Sequence, residues 1–341
     1  MAAPSLTVAQ CSVRLDVADA GMVLVAQQRA RQVAALAGLD DAGVDAAALV
    51  AAELAGNAQR HGARGQLVIQ PSAEDRAVDV VALDSGRGME YWARSFTDGF
   101  STAAGSLGSG LGAVSRVATA VSGAADGHAT VVSARIGPPG HSATVAGLGF
   151  PCRGERVNGD AWAWWVDEDG VFAVLADGLG HGPDAAAAGA LAVADPEELA
   201  GLPLPEAVRR IHDRLRGSRG AAVTVARLRR APDDDGSELL AAGVGNVAAA
   251  VVSADGLVRR TLIGHGTAGL TMRTPVETST PVPDDGVVVM HSDGLVSSWD
   301  LRDRPGALAP PPMVVAATMM RDHERGSDDV GIVVLRPEAA S

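Results

Sequence analysis

Val171-Phe172-Ala173-Val174-Leu175-Ala176 runs without a polar residue into Asp177-Gly178-Leu179-Gly180-His181-Gly182, and an alanine-rich segment, Asp184 to Val193, follows. An apolar run of this length predicts a strand buried on both faces, the glycines a tight loop, and the alanines a helix. Asp177 therefore stands at the rigid end of a buried strand. The same device recurs three times. Gly159-Asp160 precedes Trp162 to Val166, Ser292-Asp293-Gly294-Leu295 follows Val287 to Met290, and Ser327-Asp328-Asp329 leads into Val330 to Leu335. One Asp-Gly alone reads as a hairpin turn. Four carboxylate positions at strand ends predict a cluster, which repels itself unless cations intervene. Hard oxygen ligands select Mg²⁺ or Mn²⁺. Two such ions about 3.5–4 Å apart would bridge a water, lower its pKa and clamp a phosphoryl group. His181 is either a phosphate-facing group near this cluster or a loop histidine with a satisfied hydrogen bond.

Around these motifs the second half is rich in strands: Thr144 to Phe150, Ala161 to Val166, Val171 to Ala176, Ala222 to Arg229, Glu238 to Ala242, Val247 to Val252, Gly286 to Met290 and Val330 to Leu335. Helices are expected at Asp184 to Val193, Pro205 to Arg216 and Pro312 to Arg321, with Pro196, Pro203 and Pro205 breaking the first two apart. Hairpins with consecutive helices between them predict two sheets packed face to face and covered by helices. Trp162 and Trp164 fall on one strand face and Trp165 on the other, which favours core packing or an interface over a ligand platform.

The first half reads differently. A short strand (Ser12 to Val17) precedes helices at Ala18 to Leu36 and Val44 to Arg60. Strands follow at Leu67 to Gln70 and Ala77 to Leu83, then a glycine- and serine-rich loop from Phe96 to Ser109. A helix is expected from about Gly110 to Val121, and a last strand at Ala129 to Ile136. This predicts an α+β sandwich with a mixed sheet on one side. Glu53 and Asn57 stand four residues apart on one helix face. That pair would position a hydroxyl and ligate Mg²⁺, although an exposed polar pair is the commoner occurrence. Asp84-Ser85-Gly86-Arg87-Gly88-Met89 leaves a strand, where a carboxylate would accept from an exocyclic amine. Gly105-Ser106-Leu107-Gly108-Ser109-Gly110-Leu111-Gly112 opens a helix, a ready anion site. A dinucleotide fingerprint is disfavoured there, because a polar loop rather than a strand precedes the glycines.

Composition bounds the rest. Of 341 residues, 47% are hydrophobic and 20% charged, which is globular usage. The net charge is -13, with 10 basic against 13 acidic residues before position 140 and 18 against 28 after it. Two acidic halves disfavour nucleic acid and anionic lipid as partners. All 28 basic residues are Arg, so chemistry that needs a lysine amine is excluded. Cys11 and Cys152 form no framework, the N-terminus shows no signal pattern, and the uncharged runs are too short or broken to span a bilayer, so a cytoplasmic protein is expected. Gly137-Pro138-Pro139-Gly140 marks a seam between strands. It divides the chain into residues 1–136, a linker at 137–143, and residues 144–341.

Taken in order, Glu53-x-x-x-Asn57, Asp84-x-Gly86-x-Gly88 and Gly108-x-Gly110-Leu111-Gly112 resemble the GHKL (Bergerat) ATP-binding fold. Asp98-Gly99-Phe100-Ser101-Thr102 ahead of the lid is similar to RsbT-type serine kinases. The resemblance implies ATP and Mg²⁺ as cofactors. Asn57 would hold Mg²⁺, Asp84 would read adenine, Glu53 would act as base, and Gly86, Gly88, Gly108, Gly110 and Gly112 would shape the nucleotide loops. No histidine-bearing dimerisation helix precedes the domain, which argues against a sensor histidine kinase. The second half resembles the SpoIIE/RsbX branch of phosphatase-2C-like serine/threonine phosphatases, an α-β-β-α sandwich. That resemblance implies two Mn²⁺ or Mg²⁺ held by Asp160, Asp177, the Gly178 carbonyl, Asp293 and Asp328, with Asp177 the bridging, catalytic ligand. Gly331 departs from the usual Thr, which leaves Asp328 and Asp329 in competition, and Asn158-Gly159-Asp160-Ala161-Trp162 is less standard than the branch's usual text. Together the resemblances imply a bifunctional partner-switching regulator. Its substrate would be a STAS-domain anti-sigma antagonist phosphorylated on Ser or Thr, with an anti-sigma or sigma factor as a further partner. The alternative keeps only the phosphatase active and makes the first half an ATP-binding or docking module. A stand-alone phosphatase acting on small phosphoesters is a third reading.

Overall fold

The computed structural model describes residues 12–72, 76–86, 110–126, 129–231, 236–304 and 306–338. The chain divides into two compact units, Cys11–Gly140 and His141–Ser341. In the first, β1 (Val13–Asp16) leads to α1 (Ala20–Leu36) and α2 (Asp41–His61). Then come β2 (Gln66–Pro71), β3 (Val78–Asp84), α3 (Gly110–Val117), β4 (Ala120–Ala125) and β5 (Thr130–Ile136). Both long helices start on an aspartate cap. Asp19 accepts from the Gly21 and Met22 amides at 2.8 and 3.1 Å, and Asp40 from the Gly43 amide at 2.9 Å. Ala26, Ala30 and Val33 on α1, with Ala47, Val50 and Leu54 on α2, recur at three- and four-residue spacing. That stripe packs on Leu67, Ile69, Val78 and Val80, the alternate residues of β2 and β3.

The sheet order is β1-β2-β3-β5-β4, and every pairing is antiparallel. This corrects the expected mixed sheet. A single crossover helix delivers a parallel neighbour, whereas the two helices between β1 and β2 return the chain antiparallel. A second correction concerns the helix expected to reach Val121. It stops at Val117, and β4 begins at Ala120. The small residues of β4 carry little periodicity, and pairing with β5 decides their conformation.

The second unit opens with β6 (Val145–Phe150), β7 (Asp160–Asp167) and β8 (Gly170–Gly178). Three helices follow, α4 (Pro183–Ala192), α5 (Pro196–Ala200) and α6 (Leu204–Arg214). Strands β9 (Ala221–Arg230), β10 (Ser237–Val244), β11 (Ala248–Val252), β12 (Val258–Arg260), β13 (Thr278–Val282) and β14 (Val287–His291) precede α7 (Pro312–His323) and β15 (Val330–Leu335). Two five-stranded sheets result, β13-β10-β9-β8-β7 and β12-β11-β14-β15-β6, each antiparallel throughout. Strand β8 shows how the layers form. Phe172, Val174 and Ala176 meet α4, α5 and α6, while Val171, Ala173 and Leu175 enter a second core with Trp162, Met290 and Val333. Helix α7 covers β6 and β15 on the far side. Four layers, α-β-β-α, result, the sandwich expected for the second half. Trp162 is fully buried in the inter-sheet core and Trp164 packs against its edge, whereas Trp165 is exposed. Among the described residues no helix is long and apolar enough to cross a membrane.

Candidate metal centre

The period-2 alternation that sends Leu175 and Trp162 into the inter-sheet core places Asp177 and Asp160 on the same side, at one end of the gap. Asp160 opens β7, and the antiparallel register sets it directly opposite Asp177 on β8. Asp160 is 1% exposed, and neither carboxylate oxygen has a hydrogen-bond partner. Burial, and next the Asp177 charge, hold its pKa well above the ordinary aspartate value, while the nearby Ser292 hydroxyl pulls the other way. Asp177 is pushed up to about 7 by burial and by the charges of Asp293, Asp328 and Asp329, against an opposing bond from Asn246. Asp293 is raised by burial and by Asp328. Its Oδ2 accepts from the Asn246 amide at 2.6 Å.

The terminal pair divides its labour. Asp329 is 3% exposed, and both its oxygens accept backbone amides, from Cys152 and Gly159, each at 2.8 Å. It ties β15 to the loop that enters β7. Among the described residues Asp328 accepts the Asp329 amide, at 2.9 Å, and its charge acts on Asp177 and Asp293. Asp329 is thus engaged by the scaffold through both oxygens, while its charge, like that of Asp328, also acts on Asp177.

Other residues hold these strand ends. Asn158 is fully buried, donates to the Val330 carbonyl at 3.2 Å and accepts the Asp160 amide at 3.0 Å. The Ser292 amide donates to the Gly331 carbonyl, and the Gly331 amide donates to Ser292 Oγ, both at 3.0 Å. Gly178 admits no side chain, since a Cβ there would lie 2.2 Å from the Ala185 carbonyl oxygen. The sequence reading passed over Asn158, Asn246 and Ser292 as partners. The signal available was their position, one or two residues from a strand-end aspartate or beside a glycine turn. His181 bonds Glu155 through Nδ1 at 2.7 Å and joins the two loops that flank Asp160 and Asp177.

The five carboxylates lie within Coulombic reach of one another. Among the described residues, no group of three or more His, Cys, Asp or Glu side chains closes to the spacing of a finished ion cage. The donor set nevertheless fits a hard divalent cation. Every donor is an oxygen, and the buried, unpartnered Asp160 carboxylate is costly unless a cation or proton meets it.

In the first unit, Glu53 is half-buried near the middle of α2, and Asn57 Oδ1 accepts from Arg60 at 2.9 Å. Asp84 ends β3, where its Oδ1 accepts the Gly86 amide at 2.8 Å. Gly62, just past α2, lies against it, since a Cβ there would sit 2.7 Å from the Asp84 Cβ. The end of α2 and the end of β3 thus meet. Gly110 and Gly112 fall in the first turn of α3, and Gly88 and Gly108 lie outside the described residues.

The family profile of stage II sporulation protein E (SpoIIE) matches residues 167–337, which is 171 of the 341 residues. No curated protein matches the chain. Among solved structures, a chain described under "The bacterial stressosome: a modular system that has been adapted to control secondary messenger signaling" is 28% identical with a TM-score of 0.50, covering 57% of this chain and 98% of that one. RsbX in complex with magnesium is 18% identical with a TM-score of 0.47, covering 56% of this chain and 92% of its own. The RsbU and RsbW domains of Rv1364c from Mycobacterium tuberculosis are 19% identical with a TM-score of 0.44, over 59% of this chain and 63% of theirs. With a four-layer fold and acidic strand ends already in place, the profile match settles the relationship: the chain belongs to the SpoIIE family of phosphatase-2C-type serine/threonine phosphatases.

Proposed function

We propose that the second unit is a metal-dependent phosphoserine/phosphothreonine phosphatase whose substrate is a STAS-domain anti-sigma antagonist in the cytoplasm. One observation carries the phosphatase reading. Asp160 and Asp177 face each other across β7 and β8 at the mouth of the inter-sheet gap, one of them buried without a partner. Asp160, Asp177, the Gly178 carbonyl, Asp293 and Asp328 are the groups that would hold two Mn²⁺ or Mg²⁺, and Asn246 orients Asp293. Such ions, when bound, neutralise phosphoryl oxygens and acidify water. The chain supplies the rest. Rigid strand ends fix the carboxylates, Asp329 and Asn158 lock the entry to β7, and apolar layers keep the gap dry beneath them. The likeness to RsbX in the motifs supports a protein substrate from partner switching. The test is Mn²⁺-dependent release of phosphate from a phosphorylated STAS-domain antagonist by the full-length protein. Loss of turnover in Asp160→Asn and Asp177→Asn is expected, and retained turnover in both overturns the reading.

We infer that the first unit is a GHKL-type ATP-binding domain and the source of serine-kinase activity on the same antagonist. The motif order and the meeting of α2 with the end of β3 support this. A second reading keeps ATP binding without transfer, and the Arg60 bond to the Asn57 amide oxygen favours it, because that oxygen is the one Mg²⁺ would need. Incubation with γ-labelled ATP and the antagonist separates them. Label on the antagonist supports the kinase, and bound nucleotide without label supports the second reading.

A further inference from the structure

Arginines near the acidic strand ends are mostly engaged. Arg219 pairs with Asp184 at 3.3 Å, and Arg321 with Asp322 at 2.7 Å. Arg325 is different. Leu295 and Glu324 form an antiparallel bridge. Around it, the Arg325 amide donates to the Gly294 carbonyl and the Val296 amide to the His323 carbonyl, both at 2.9 Å. This pairing sets Arg325 opposite Gly294, one residue from Asp293. The side chain is exposed, and among the described residues its guanidinium makes no ion pair or hydrogen bond.

Charge balance gives that cation a task. Asp160, Asp177, Asp293 and Asp328 bring four negative charges and Asp329 a fifth, against four positive charges from two divalent ions. A phosphate monoester carrying about 1.5–2 further negative charges would enter a pocket that is already slightly negative. We infer that Arg325 receives the phosphoryl oxygens of the substrate through its free guanidinium, beside Asp293. The planar fork of arginine suits that group, and its backbone pairing holds it at the rim. This rests on the phosphatase reading above.

The test uses the full-length protein and its Arg325→Ala and Arg325→Lys variants. It measures Mn²⁺-dependent hydrolysis of para-nitrophenyl phosphate, calorimetric binding of inorganic phosphate with Mn²⁺ present, and Mn²⁺ binding alone. R325A is expected to raise KM and weaken phosphate binding about tenfold, the scale of a charge-assisted contact at a solvated rim. Its kcat should fall less, and R325K should recover part of the loss. Mn²⁺ affinity should stay equal or tighten, because a repelling charge has gone. Unchanged KM and phosphate affinity overturn the inference, and so does a parallel loss of Mn²⁺ affinity, which would mark a structural strut. If the wild-type protein hydrolyses neither this ester nor a phosphoserine substrate, the phosphatase reading itself falls. The phosphate titration then decides Arg325 by itself, equal binding by R325A removing the assignment and tenfold weaker binding retaining it.

Discussion

Asp177→Asn removes one charge from the middle of the acidic cluster and should move stability in opposite directions with and without Mn²⁺. In the folded chain burial and the charges of Asp293, Asp328 and Asp329 raise Asp177 from 3.8 to about 7. The folded state therefore holds this proton more tightly than the unfolded chain does. Stability from the group is complete below about pH 4 and is lost as pH rises toward 7. At about 1.36 kcal/mol per pH unit the interval amounts to about 4 kcal/mol, and proton sharing with the neighbouring aspartates trims it to about 2–4. Asparagine carries no such penalty. In EDTA at pH 8 the variant should be the more stable protein by about 2–4 kcal/mol, and at pH 4 the two should converge. With saturating Mn²⁺ the order should reverse, because ion binding stabilises the wild type by mass action. Urea unfolding followed by tryptophan fluorescence reports mainly on the right unit, since four of the five tryptophans, Trp162, Trp164, Trp165 and Trp299, lie in it. A wild-type stability that is flat between pH 5 and 8 in EDTA, or an Asp177→Asn protein less stable there, would refute the electrostatic account.

The terminal aspartates should separate by phenotype. Asp328→Asn is expected to abolish hydrolysis with little change in melting temperature, whereas Asp329→Asn weakens a buried clamp on two amides and should cost about 1–3 kcal/mol; calorimetry and phosphate release on both proteins check this. Gly178→Ala forces a Cβ to 2.2 Å from the Ala185 carbonyl oxygen, so α4 must shift, and a stability loss of about 1–3 kcal/mol with loss of activity is expected in parallel melting and turnover assays. In the first unit, Asp84→Ala should abolish binding of a fluorescent ATP analogue, while Glu53→Ala should bind it normally and fail to label the antagonist. Equal labelling by Glu53→Ala removes Glu53 from the chemistry.

The strands that flank the acidic cluster were legible because they are covered on both faces, so β8, β14 and β15 read as unbroken apolar runs. Two edge strands, β12 and β13, were not, although the edges β1, β6 and β7 were read. Strand β13, Thr278-Ser279-Thr280-Pro281-Val282, is polar and carries a proline, and β12 has only three residues. Helix α5 was missed because Pro196 reads as a breaker, yet it occupies the first turn, where its absent N–H costs nothing. Asp160, Asp177 and Asp293 could be named from sequence because a glycine beside each marks the strand end, and the terminal pair because an apolar run follows it directly. The choice between Asp328 and Asp329 could not be made there. The two amides that engage Asp329, of Cys152 and Gly159, are about 170 positions away along the chain. Asn246 was hidden for the same reason, since its partner Asp293 is 47 residues distant.

The β7–β8 hairpin closes through only two residues, Glu168 and Asp169, between the paired Asp167 and Gly170. Seven residues of strand, about 23 Å, separate that bend from Asp160. Because side chains alternate at every step, an extra residue in the bend that slipped β7 by one position would rotate the opposed aspartates out of alignment and into different surroundings. The chemistry at one end of the sandwich is thus indexed by loop length at the other. Exchanging either residue leaves the pairing count intact, whereas a register-shifting insertion there would disable the site without touching any of its carboxylates.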